Sequence, residues 1–116
     1  MFDFEKLDVY QLVKAQSARV IFFLRKNTSI DPYIVDQWKR ASLSIFLNLA
    51  EGTGRMTDSD KKHFLTISRG SVYECTAIID LLKTTKDIDE ETFTELYGYY
   101  EQISKMLLGM YRSYSK

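Results

Sequence analysis

The sequence is short of the residues that build stapled, turn-rich or membrane-bound proteins. It has one cysteine, Cys75; an internal disulfide is excluded, and a reducing intracellular setting fits. One proline, Pro32, and five glycines make disorder unexpected, and no segment of strand period is seen. With one histidine, His63, the paired Glu-x-x-His motifs of di-iron bundles are absent. Net charge is also missing: 16 basic residues balance 16 acidic ones. That removes the bulk basicity behind nonspecific nucleic-acid binding and leaves only local patches to consider. No apolar run approaches the roughly 20 residues of a membrane helix. The opening MFDFEKLD has no basic-then-apolar signal pattern. The expectation is a cytoplasmic protein with no membrane contact.

What is present is an ordinary soluble composition. Hydrophobic residues make up 45%, aromatic residues 14% and charged residues 28% of the chain, which speaks against disorder. With 116 residues, one domain over 1–116 is expected, burying roughly two-thirds of the unfolded surface.

The apolar residues recur with helical period between clear stops. A first helix is expected from about Glu5 to Lys26, with Val9, Val13, Val20, Phe23 and Leu24 on one face and Gln16 in register. A second begins in SIDP: Asp31 can cap, Pro32 suits the first helical position, and Ile30 can staple onto Val35. It is expected to end near Gly52 as a left-handed cap. A third starts at TDSD, with Thr57 as cap and Asp60 completing a capping box; its stripe is Phe64, Ile67, Ser71, Cys75, Ile78 and Leu82. A fourth starts at DIDEETF, with Asp89 as cap and an Ile88–Phe93 staple. Its stripe is Phe93, Leu96, Tyr97, Tyr100, Ile103, Leu107, Tyr111 and Tyr114. Short turns between such helices imply an all-α, antiparallel up-down-up-down four-helix bundle.

The second helix is unusual. On a helical wheel Gln37, Arg40, Ser44, Asn48, Glu51 and Arg55 fall within about 80° of each other. Nearly everything else is apolar, an arc about twice the width of an ordinary amphipathic face. Either this helix is unusually central or another subunit covers the excess. The polar stripe is then either a solvated face or a hydrogen-bonded network at a helix or subunit interface. We adopt the network, in which Arg40 pairs with a carboxylate such as Glu51 or Glu74 and Asn48 bonds a serine. Gly52-Thr53-Gly54 ends the helix. It follows no strand and carries no Gly-Lys-Ser/Thr, so it is not a phosphate loop.

Catalytic chemistry is sought and not found. Asp60-x-x-His63 reads as a helix start, and Cys75 as a core thiol. The serines lack a partner base. Acidic pairs sit at helix starts, where the dipole favours them. No catalytic residue, metal site or cofactor is expected. The tyrosines of the fourth helix could stack on bases but read first as core or interface.

The segment Gln37-Trp-Lys-Arg40-Ala41-Ser-Leu-Ser44-Ile45, followed by Asn48-Leu-Ala50-Glu51-Gly52, resembles the central signature of the four-helix-bundle 23S rRNA intervening-sequence proteins. Phe4-x-x-Leu7-x-Val9-Tyr10 is similar to that family's opening, and Phe64-Leu65 with Gly70-Ser71-x-x-Glu74 to its third helix. The resemblance implies a bacterial cytoplasmic protein, encoded in some members within ribosomal RNA gene insertions. The accessory variability proteins of diversity-generating retroelements resemble this family in fold, form pentameric barrels and bind nucleic acid. The resemblance therefore implies a homo-oligomer, with a pentamer favoured, and RNA or a nucleic-acid-processing protein as partner. This chain departs from those strongly basic proteins in being neutral. Arg19, Arg25, Lys26 and Lys39 are its candidate nucleic-acid contacts. A protein-protein adaptor of the same fold is the alternative.

Overall fold

Local capping chemistry sets where each helix begins. In the structure, a computed structural model describing residues 1–115, the helices are α1 (Asp8–Lys26), α2 (Pro32–Thr53), α3 (Asp58–Thr84) and α4 (Glu90–Ser113). The Asp31 carboxylate accepts from the Tyr33 and Ile34 amides, with Pro32 in the first turn. The Thr57 hydroxyl accepts from the Asp60 amide, and the Asp89 carboxylate from the Thr92 amide. These contacts satisfy amides that would otherwise be orphaned at the helix start. The expected return bond from the Asp60 side chain to Thr57 is not formed, so the box is half complete.

Each helix packs on its neighbours in sequence, and α1 closes on α4. Among the described residues no strand occurs and the backbones of diagonal helices stay apart, as an up-down-up-down bundle requires; diagonal helices meet only through side chains in the core, as Trp38 and Tyr100 do. The long dimension is 44 Å. The core runs down the middle: Val13 and Val20 from α1, Trp38, Ile45 and Leu49 from α2, Cys75 and Ile79 from α3, Leu96, Tyr100 and Ile103 from α4. The expected α1 stripe is buried throughout, Gln16 included.

Four expectations are corrected. The first helix does not run unbroken from Glu5. A 3-10 turn, Asp3–Lys6, precedes it, and Leu7 is extended between them. Phe2 stacks on Phe4, and Phe4 with Tyr10 and Tyr10 with Phe46 pack at a tilt, so aromatic packing folds the N-terminus back along α1 and α2. Second, Gly52 is not a left-handed cap: no described glycine has positive φ. Gly52 is helical and buried, and a Cβ there would lie 2.9 Å from Phe64 Cβ. It lets α2 and α3 approach. The described residue with positive φ is Lys86, at 64°, which ends α3 with Asp87 N–H donating to the Leu82 carbonyl. Third, α3 is rotated from the expected stripe. Ser71, Cys75 and Leu82 are buried, but so are Leu65, Ser68, Val72 and Ile79, while Ile67 is exposed. This helix packs on α2 and α4 more closely than α1 packs on its two neighbours, so its buried face is wider. Fourth, Tyr97 and Tyr111 of α4 are exposed rather than core.

Candidate interaction surfaces

The polar stripe of α2 divides into three parts. In the middle, Asn48 Nδ2 donates to the Ser44 carbonyl at 2.9 Å and to Ser44 Oγ at 3.0 Å. Ser71 Oγ of α3 donates to Ser44 Oγ at 2.7 Å. The stripe thus carries a small network between two helices, and Asn48 does bond a serine. At the start, Arg40 pairs with Asp36 at 2.9 Å, one turn back, not with Glu51 or Glu74. Both partners are mostly exposed, so the pair contributes little. At the end, Arg55 lies 3.4 Å from Glu51 and its guanidinium covers the Phe64 ring at 4.4 Å. Gln37 is half-buried and Gly52 buried.

A second polar tie, which the sequence reading did not assign, joins α1 to α2. Gln16 is fully buried and donates to Ser17 Oγ and to Ser42 Oγ at 3.2 Å. In the core, Trp38 Nε1 donates to the Tyr100 hydroxyl at 3.2 Å. Burial pushes the neighbouring Cys75 thiol up to about 12, against an ordinary value of 9.0, despite a hydrogen bond with Tyr100 that works the other way. Burial likewise raises the Tyr100 phenol well above its ordinary range. Cys75 is therefore protonated and shielded, unsuited to attack. No group of three or more metal-ligating side chains occurs among the described residues, and no described helix is long and apolar enough to cross a membrane.

The four candidate cations do not form one patch. Arg19 is half-buried, donating to Glu95 at 2.8 Å and to Thr92 Oγ at 2.9 Å. It fastens α1 to α4. Arg25 and Lys26 stand exposed in the last turn of α1, Arg25 over the Phe22 ring. Lys39 is exposed and borders a depression shared with Asn27 of the α1–α2 turn.

The apolar excess of α2 is visible in the structure. Leu43 is 53% exposed and Leu47 52%. One turn apart on α2, they face outward beside α1, where Ile21 is also exposed. Below them a depression of about 570 Å³ continues past Leu47 and Ala50 to Phe2 and Phe4. The signal was the width of the apolar arc itself. A different groove lies between α3 and α4, lined by Leu65, Gly70, Tyr73, Leu107 and Tyr111, with a volume of about 560 Å³. The sequence reading missed it, although Arg69 and Tyr73 stand one turn apart.

A family model described as 23S rRNA-intervening sequence protein matches residues 5–109. No curated protein sequence matches. Among solved structures the fold is similar to the crystal structure, at 1.70 Å resolution, of a protein of unknown function from the S23 ribosomal protein family of Bacteroides thetaiotaomicron VPI-5482. The TM-score is 0.82 at 21% identity, covering 89% of this chain and 97% of that one. That likeness concerns the fold.

Proposed function

The chain belongs to the 23S rRNA-intervening sequence protein family, and we propose that it acts without catalysis, as a homo-oligomeric four-helix bundle associated with RNA or a ribonucleoprotein. The observation that carries the oligomer is the uncovered row of Leu43 and Leu47, each about half exposed (53% and 52%), beside Ile21. A contiguous apolar surface of this kind favours a like chain or another protein over water. The pentamer implied by the resemblance to retroelement accessory proteins would repeat the bundle around a ring. The buried, protonated Cys75 supports a non-catalytic role.

The nucleic-acid part of the reading rests on Arg25, Lys26 and Lys39. Arg19 drops out of the contact set because Glu95 and Thr92 occupy it. With zero net charge, affinity must come from these local contacts, multiplied by repetition in a ring. Titration of structured and single-stranded RNA at low and physiological salt tests this. The expected slope of log affinity against log salt is roughly −0.7 to −0.9 per phosphate contacted. Binding should disappear when the three residues are changed to Ala. No binding by the wild type at low salt overturns the RNA reading. A specific observation favours a second reading, the protein-protein adaptor: the apolar groove between α3 and α4.

A further inference from the structure

We propose that the α3–α4 groove is a docking site for an acidic amphipathic helix of a partner protein, with apolar anchors one to two turns apart. This rests on the adaptor reading and is independent of RNA binding.

The groove has two compartments. One, of about 560 Å³, is lined by Leu65, Gly70, Leu107, Leu108 and Tyr111. The next, of about 330 Å³, is lined by Val72, Tyr73, Tyr97, Tyr100 and Ser104. Arg69 borders both. It lies across the groove from α3, donating from Nε to the Ser104 carbonyl at 3.2 Å and from Nη2 to the Tyr73 hydroxyl at 3.2 Å. The residues lining the two compartments are centred about seven positions apart on α4 and about four apart on α3, which is about 6–10 Å of helix rise. A docked helix aligned with the groove presents side chains i, i+4 and i+7 over that range, on one face.

The charge around the groove selects the partner's sign. Arg69 and Lys105 border it, and Lys62 stands over the Tyr111 ring at 5.5 Å. Among the described residues, the charged side chains that line the two compartments are Arg69, Lys105 and one carboxylate, Glu101, with Lys62 beside them. A chain that is neutral overall thus gathers positive charge on this rim. Exposed Tyr73, Tyr97 and Tyr111 supply the aromatic and arginine surface typical of binding hot spots. Gly70 lines the first compartment, and a Cβ there would meet nothing within 4 Å, as is also true of Gly98 and Gly109 on α4, so a side chain can be added at this position to block the groove without disturbing the bundle.

The probe is a displayed library of 20-residue helical peptides, selected on the full-length protein and counter-selected on Gly70→Glu. That variant has room for its side chain, so it should stay folded, and its melting curve checks this. Enriched peptides should carry Asp and Glu on their flanks and large apolar residues four or seven apart on one face. The best of them, as a fluorescent synthetic peptide, should bind with micromolar Kd. Affinity should fall at least tenfold in Gly70→Glu and severalfold in Arg69→Gln. Subunit number and RNA titration should be unchanged in both variants. The proposal is overturned by no Gly70-dependent enrichment, or by enriched peptides that are basic or lack the spacing. It is equally overturned if Gly70→Glu changes the subunit number, making the groove a self-interface, or if oligouridylate displaces the peptide, making it a nucleic-acid surface.

Discussion

Replacing Gly52 and Gly70 by alanine, one at a time, should move stability in opposite directions, or at least by clearly different amounts. Both residues lie inside helices, α2 and α3. Both substitutions therefore gain the same helix propensity, about 0.8–1 kcal/mol. At Gly70 the new methyl meets nothing within 4 Å, and the full gain should appear. At Gly52 it would sit 2.9 Å from Phe64 Cβ, nearly an ångström inside ordinary carbon–carbon contact. Because Phe64 Cβ is fixed to the α3 backbone, no rotamer change relieves the clash; α2 and α3 must separate. Overpacking of this kind costs about 1–3 kcal/mol. Subtracting one variant from the other cancels the propensity and leaves the steric cost alone. For a domain of this size each kcal/mol moves Tm by about 4 °C, so the two melting temperatures should differ by roughly 4–12 °C, Gly52→Ala lower. Denaturant unfolding with equal m-values supplies the free energies. Equal stabilisation of both variants would refute the close approach of α2 to α3 at Gly52.

Three further outcomes are expected. Leu43→Glu with Leu47→Glu should leave helix content intact, since both side chains can reach water in the single chain, yet reduce the assembly to 13.6 kDa units by light scattering; an unchanged assembly means other residues hold it. Between pH 8 and 10, stability should fall more steeply in the wild type than in Cys75→Ala. The folded thiol is raised to about 12 from 9.0, so its contribution is complete below pH 9 and is lost as the unfolded thiol ionises, by up to about 1.4 kcal/mol per pH unit. Parallel pH curves for the two proteins would contradict its burial. Asn48→Leu should lose about 1 kcal/mol in chemical unfolding, through the bonds to Ser44, and no loss would mean that Asn48 is satisfied by water.

The parts of the molecule that were legible in the sequence are those decided locally. Asp31, Thr57 and Asp89 cap as read because a cap depends on residues two or three away. The α1 stripe is right because its apolar positions are sparse and regular. Errors arise where a second element decides. Gly52 has the composition of a helix stop, but its neighbour Phe64 lies on another helix. The α3 stripe is misplaced because α3 packs more closely than α1 does on its two neighbours and buries residues on both sides of the one drawn from a single wheel. Arg19 looks like a free cation until α4 brings Glu95 to it. The apolar excess on α2 was readable as an amount, and Leu43 and Leu47 locate it.

Whether like chains cover that row is decided most directly by the mass of the wild-type protein in solution. Sedimentation equilibrium at micromolar concentration should give a single species near five times the 13.6 kDa chain mass. A homogeneous 13.6 kDa monomer would contradict the oligomer and leave Leu43 and Leu47 as ordinary exposed side chains.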